Sequence, residues 1–165
     1  MAGELAKRSL CARDQVGAVI VDKDNKIIGE GYNGPPRGFP RPADTSLTGG
    51  WYGPGAHDTR CTEWCERGKL PVNAEARKLR DGYVDCPSLH AEANALLQAD
   101  RSLCVDGTIF VTSHVCFGCA KLIANSGLTG VVVRSAAKNH RPVQATLDFL
   151  SNCGIDVLIY REEDE

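Results

Sequence analysis

The chain has 165 residues, 42% hydrophobic and 24% charged, with 19 Lys and Arg against 21 Asp and Glu for a formal net charge of −2. That balance suits one globular domain and excludes the strongly basic footprint of a duplex nucleic-acid binder, while leaving room for a small anionic ligand. No run of about 18 apolar residues exists to span a bilayer. Residues 1–13 carry no apolar leader, so the expected location is the cytosol. There are eight cysteines. Cytosolic thiols are kept reduced, so metal ligation or catalysis is the better expectation for some of them than a disulfide framework.

In chain order, an amphipathic helix is predicted over 4–12, starting near residue 1. The apolar, β-branched run 16–21 (VGAVIV) reads as a strand; Asp24 and Asn25 turn the chain, and 26–32 returns as its hairpin partner. From 34 to 87 the periodicity dissolves among Gly, Pro and charged residues, apart from a short helix expected over 73–80 with Gly82 as its stop. A loop of that length inside a compact domain is functional or is held by something other than its own packing. Order returns at Leu89. A helix is predicted over 90–99, a turn at Asp106 and Gly107, a strand over 108–112, and a helix over 116–125 closed by Ser126 and Gly127. A strand over 131–134, a helix over 142–152 stopped by Gly154, a strand over 155–160 and a solvated acidic tail complete the chain. Strands alternating with helices predict an α/β fold with a partly parallel sheet, in one domain spanning 1–165.

Chemistry concentrates at two helix starts. His90-Ala91-Glu92 opens one helix, and Cys116-Phe117-Gly118-Cys119 opens the next, with one strand between them. Cys116 and Cys119 stand one helical turn apart, so both sulfurs can face one ion, and a helix N-terminus favours the thiolate that a metal needs. With His90 they make three ligands and leave a fourth position open, the pattern of a catalytic zinc site. Glu92 is placed to handle the protons of a water at that position without binding the ion. The rival readings are two reduced core cysteines beside a helix-start histidine, or a purely structural zinc. Either pair alone is a weak signal; the two together, each opening a predicted helix, are a strong one.

The H-x-E…C-x-x-C arrangement resembles the signature of zinc nucleobase deaminases. Within that group the chain resembles the deoxycytidylate (dCMP) deaminase family through Arg8-Ser9-Leu10-Cys11, Val16-Gly17-Ala18, Gly31-Tyr32-Asn33-Gly34, His90-Ala91-Glu92-Ala93-Asn94-Ala95 and residues 116–127 (CFGCAKLIANSG), in the family's order. The resemblance implies a three-layer α/β/α cytidine-deaminase-like fold around a central mixed sheet, with 34–87 as a long Cys-containing insertion. It implies a Zn2+ cofactor on His90, Cys116 and Cys119, Glu92 as proton shuttle, and hydrolysis of dCMP to dUMP and ammonia. Asn33 matches the asparagine that holds the nucleotide. Asn94 matches a helix asparagine beside the pocket. Gly34 and Arg37 lie in a loop suited to a phosphate on chemical grounds. Some members form homohexamers and take dCTP and dTTP as effectors. No nucleic-acid or membrane partner is expected. Val115 stands where the signature has Pro, which predicts slightly looser ligand geometry without loss of the metal.

Cys61 and Cys65 form a C-x3-C pair, and Cys86 sits four residues before His90. Cys11 matches a cysteine that ligates a second, structural zinc in phage and bacterial members. The resemblance therefore implies a four-thiolate site of Cys11, Cys61, Cys65 and Cys86, with His57 as a spare ligand, stapling the insertion. The alternative is a set of reduced thiols. Cys104 and Cys153 are expected to be small core residues. His114 is expected to line the pocket or form a polar wall, and Phe117 to pack against the loop or near the phosphate end. Two other functions stay open: a deaminase of the same fold for a modified cytosine nucleotide or nucleoside, and a zinc-stapled binding module without catalysis.

Overall fold

The computed structural model describes residues 1–11, 14–36, 39, 65, 69, 86–134 and 144–160. They fall into two compact units, one of Met1–Ser9, Val16–Asn33 and His90–Glu165, the other of Leu10–Gln15 and Gly34–Leu89. No helix among the described residues is long and apolar enough to cross a membrane.

The first unit carries the sheet. Its elements are α1 (Ala2–Ala6), β1 (Gly17–Val21), β2 (Ile27–Tyr32), α2 (Ala91–Gln98), α3 (Arg101–Cys104), β3 (Thr108–Val111), α4 (Phe117–Ala124), β4 (Gly130–Arg134), α5 (Gln144–Asn152) and β5 (Asp156–Tyr160). The strand order is β2-β1-β3-β4-β5. β1 pairs antiparallel with β2 and with β3. β3, β4 and β5 run parallel, with α4 and α5 as the crossovers. The hairpin turn is local chemistry: the Asp22 carboxylate accepts from the backbone N–H of Asp24 and Lys26, at 2.9 Å each, and Asn25 takes the left-handed conformation at φ 60°. Gly127 and Gly154 have φ of 98° and 75°, the left-handed residues that stop α4 and α5 as the sequence predicts.

Alternation sorts the strands into two faces. Ala18, Ile20, Ile109, Val111, Val131 and Val133 face one side and form a single buried cluster with Ala91 and Ala95 of α2, Cys119, Ala120 and Ile123 of α4, and Leu150 of α5. The other side faces α1: a Cβ at Gly17 would strike Ala2 and Ala6 backbone. Helices therefore cover both faces of a mixed sheet, the α/β/α layering expected.

Some boundaries differ from the sequence reading. α1 ends at Ala6, well short of residue 12. Arg8 and Ser9 N–H groups turn back onto Leu5 and Ala6 carbonyls at 2.9 and 3.0 Å, and the Ser9 hydroxyl donates to the Asn33 carbonyl at 2.8 Å, an alternative that draws it out of the helix. α3 occupies a segment read as loop. Its cap is Asp100, whose carboxylate accepts from Ser102 N–H at 2.8 Å. Cys104, inside α3, is buried as expected. Cys153 is exposed, contrary to expectation, because α5 ends at Asn152 and the cysteine falls in the turn beyond its buried Thr146 and Leu150. The helix expected over 73–80, the start of the helix expected from 142, and the acidic tail lie outside the described residues.

In the second unit, Gly34 and Leu89 pair as an antiparallel bridge, with N–H···O distances of 3.2 and 2.8 Å in the two directions. Gly34 and Leu89 are thus tied to each other across 55 residues of sequence. Cys65 is buried and packs with Leu10, Cys11, Phe39 and Cys86. Its sulfur lies 4.0 Å from that of Cys86.

Candidate active site

His90 is the N-cap residue of α2, yet its side chain makes no capping hydrogen bond. The imidazole turns instead to the start of α4, where Nδ1 lies 3.4 Å from Cys116 Sγ and 3.5 Å from Cys119 Sγ. Cys116 is the N-cap of α4 and accepts the Cys119 N–H through its sulfur at 3.4 Å. One donor atom from each of the three residues lies within 4.8 Å of the others.

The electrostatics of this group follow from crowding three donors at a helix start. Hydrogen bonding from Cys119 and then from His90 pulls the Cys116 thiol down to about 3, which favours its thiolate form. Its neighbour Cys119 is pushed up, first by its hydrogen bond to Cys116 and then by burial. His90 is raised by its hydrogen bond to Cys116. A thiolate beside an imidazole at this place favours a bound cation. A tetrahedral ion with Zn–S near 2.3 Å and Zn–N near 2.0–2.1 Å would set each N···S edge at about 3.6 Å. The two N···S separations fit that edge without rearrangement, and thiolate with imidazole is zinc's preferred donor chemistry. Val115, in place of proline, is buried directly before Cys116.

Glu92 lies in the first turn of α2 and is buried. Burial lifts its carboxyl to about 7. Hydrogen bonding with Cys119 offsets part of that lift, and the carboxyl is not one of the three grouped donors.

Asn33 follows β2 and is buried. Its Oδ1 accepts from Val16 N–H at 2.8 Å, its own N–H donates to the Val16 carbonyl at 3.1 Å, and its carbonyl accepts from Ser9. Neither Ser9 nor Val16 stood out in the sequence as a support for Asn33; contacts 24 and 17 residues apart leave no local signature. Asn94 sits one turn after His90 and donates from Nδ2 to the Tyr32 carbonyl at 2.8 Å. The His114 ring nitrogen Nδ1 lies 3.3 Å from the Ser113 hydroxyl. Phe117 packs on Phe149 of α5, with ring centroids 5.0 Å apart, a partner the sequence did not reveal. Gly34 belongs to the second unit with Leu89, and Arg37 lies outside the described residues. Of the four loop cysteines, Cys11, Cys65 and Cys86 come together and Cys61 lies outside the described residues.

Comparison with known proteins agrees with this geometry. The model of the cytidine and deoxycytidylate deaminase zinc-binding region matches residues 1–135. A deoxycytidylate deaminase of Mycobacterium phage D29 is 36% identical over 127 residues, covering 77% of this chain and 83% of its own length. That of Enterobacteria phage T4 is 32% identical, covering 93% of this chain and 82% of its own. The solved dCMP deaminase of cyanophage S-TIM5, in complex with dCMP and dUMP, is 28% identical with a TM-score of 0.62, covering 96% of this chain and 90% of that one. Its donor set, its α/β/α fold and these relatives together make the chain a member of the zinc-dependent cytidine and deoxycytidylate deaminase family.

Proposed function

We propose that the protein hydrolyses dCMP to dUMP and ammonia, supplying dUMP for thymidylate synthesis, with His90, Cys116 and Cys119 as zinc ligands and Glu92 as the proton carrier. The observation that carries this reading is a buried carboxyl, Glu92, beside a three-donor group whose N···S distances are 3.4 and 3.5 Å. The relatives named deoxycytidylate deaminase, and the phage structure holding dCMP and dUMP, support the substrate.

Zinc held by the three residues supplies Lewis-acid activation of water. The chain's own part is proton transfer and orientation. Glu92, buried beside the donors, can take a proton from the attacking water and return it. It delivers that proton to N3 of the cytosine ring as oxygen adds at C4, then takes the proton of the added C4 hydroxyl and gives it to the amine, so that the C4–N bond breaks as the C4 carbonyl forms. One water is consumed and one ammonia released. Asn33, braced on its backbone and Oδ1, holds the nucleotide. Gly34 and the cation of Arg37 are assigned to the phosphate, and Asn94 to the wall of the pocket.

In this reading residues 1–165 form one deaminase domain, with 34–87 as a metal-stapled insertion. A second, structural Zn2+ on Cys11, Cys61, Cys65 and Cys86 is supported by the 4.0 Å approach of Cys65 and Cys86 sulfurs and by the packing of Cys11 on Cys65. A four-thiolate zinc has a sulfur–sulfur edge of about 3.8 Å. Family likeness extends the proposal to a homohexamer, to dCTP and dTTP as effectors, and to a cytosolic location. The test is ammonia release from dCMP, dCTP, CMP and deoxycytidine at equal concentration. Preference for dCMP is expected; deoxycytidine turning over as fast as dCMP would remove the phosphate site from the assignment.

A further inference from the structure

We infer that Asn94 is a positioning residue that sets the register of α2 on β2, and through it the place of Glu92 relative to Asn33. This rests on the reading of Glu92 and Asn33 given above. The first turn of α2 carries both His90 and Glu92, and it starts without a side-chain cap because the His90 imidazole faces the cysteines. An uncapped helix start frays unless another contact holds it. Two features of this chain hold it. The Asn94 amide donates across 62 residues of sequence to the Tyr32 carbonyl at 2.8 Å, at the last residue of edge strand β2 and the one before Asn33. Beneath it, Gly29 and Gly31 let the helix backbone rest directly on the strand. A Cβ at Gly29 would lie 2.6 Å from the Ala95 carbonyl oxygen, and one at Gly31 would strike the Ala91 carbonyl and come within 2.5 Å of Ala95 N. The glycine seam sets how close the helix comes. It is smooth, so it does not stop the helix sliding along the strand. The directional bond from Asn94 does, and it acts at the strand end that leads into Asn33.

The consequence concerns geometry between two groups. Glu92 rides on α2 and Asn33 follows β2, and proton transfer to a ring held by Asn33 needs the two in fixed relation. A misplacement of about 1 Å can cost on the order of 10²-fold in rate. Two of the three zinc donors, Cys116 and Cys119, sit on α4 and keep the ion's place, while His90 moves with Glu92 on α2.

The experiment compares the parent with Asn94→Ala and Asn94→Asp, the latter of similar shape but without the donor. Expected are retained zinc, kcat on dCMP lowered about 10²-fold with KM changed less than about threefold, and metal-free protein whose Asn94 and Ala95 amides exchange at least about tenfold faster. In a Glu92→Ala background the further change Asn94→Ala should lower the residual rate less than about threefold, since the two act through one step. A raised KM with kcat kept would mean that Asn94 touches the nucleotide, and would overturn the proposal. So would an equal loss of rate in the parent and Glu92→Ala backgrounds, or unchanged amide exchange. A parent that releases no ammonia from dCMP would overturn the reading of the site, and the register role would then stand or fall on amide exchange alone.

Discussion

Nδ1 of His90 lies 3.4 Å from Sγ of Cys116, although 26 residues separate the two in the chain. The approach is made by two helix starts, those of α2 and α4, set side by side at one end of the sheet with β3 between them in sequence. Each helix start brings its donors with it, so a metal needs no further loop to enclose it. The same arrangement leaves Glu92 one short step from the donors and buried. Glu92→Ala should therefore keep its zinc and lose turnover by at least the ~10²–10⁴-fold typical of general acid–base catalysis. Zinc content and dCMP turnover, measured side by side, check this. A rate within about tenfold of the parent would remove Glu92 from proton transfer. Loss of zinc would make it a ligand.

Burial of Glu92 predicts a pH trend in the metal-free protein. Its carboxyl is raised from 4.5 to about 7, so the folded chain holds this proton more tightly than the unfolded chain does. The contribution to stability is whole below the unfolded pKa, falls as pH rises from about 4.5 to about 7, and is lost above that. The full span is on the order of 3 kcal/mol at most. His90 and Cys116 titrate too, but they are common to the parent and to Glu92→Gln. Melting temperatures of chelator-stripped parent and Glu92→Gln should diverge between about pH 4.5 and about pH 7, the parent falling relative to the variant. A bound cation favours the carboxylate and should flatten the difference. Parallel curves in the metal-free proteins would mean the carboxyl is not desolvated.

Much of this site was legible because its parts are local. His90 with Glu92, and Cys116 with Cys119, each open a helix whose start is written in a few neighbouring residues, and Gly127 and Gly154 mark where helices stop. What escaped was set by distance in sequence. That β1 lies between β2 and β3 follows from non-local pairing, which no short window records. The same holds for Ser9 and Val16 bracing Asn33, for Asn94 reaching Tyr32, and for Phe117 meeting Phe149. The cap of α3 by Asp100 was local and readable, yet a four-residue helix gives too little periodicity to draw attention.

Phe117 stands between the two cysteine donors, half-exposed, with its ring against Phe149 and the Lys121 ammonium 5.9 Å from its centroid. It joins α4 to α5. Phe117→Ala should cost about 0.5–1.5 kcal/mol from the lost ring pair, a fall in melting temperature of a few degrees for a chain of this size. The sulfurs are held by the helix backbone, so zinc content should not change, and neither should KM for dCMP. A KM raised tenfold or more at unchanged stability would place Phe117 against the nucleotide instead.

The gathered thiols of the second unit give the last prediction. Cys65 is buried beside Cys11 and Cys86, and burial pushes the Cys86 thiol up. Reduced thiols gathered this way, with no metal, would be weakly held. A zinc ion would turn them into thiolates and convert its binding energy into folding energy. The insertion has reason to need that. Gly34 and Leu89 are tied by their bridge, and joining chain ends some fifty residues apart costs closure entropy that grows with length. Purified protein should contain two zinc ions per chain. Cys65→Ser should contain one, melt at lower temperature, and be cleaved faster by protease within 34–87. Its kcat should fall less than its stability, because His90, Cys116, Cys119 and Glu92 all lie in the other unit. Cys104→Ser, the control, alters a thiol that is also buried but belongs to the main core, and should leave the zinc count at two. One zinc in the parent, measured by elemental analysis on protein never exposed to chelator, would end the case for the second ion. A Cys65→Ser protein keeping two would move it to other ligands.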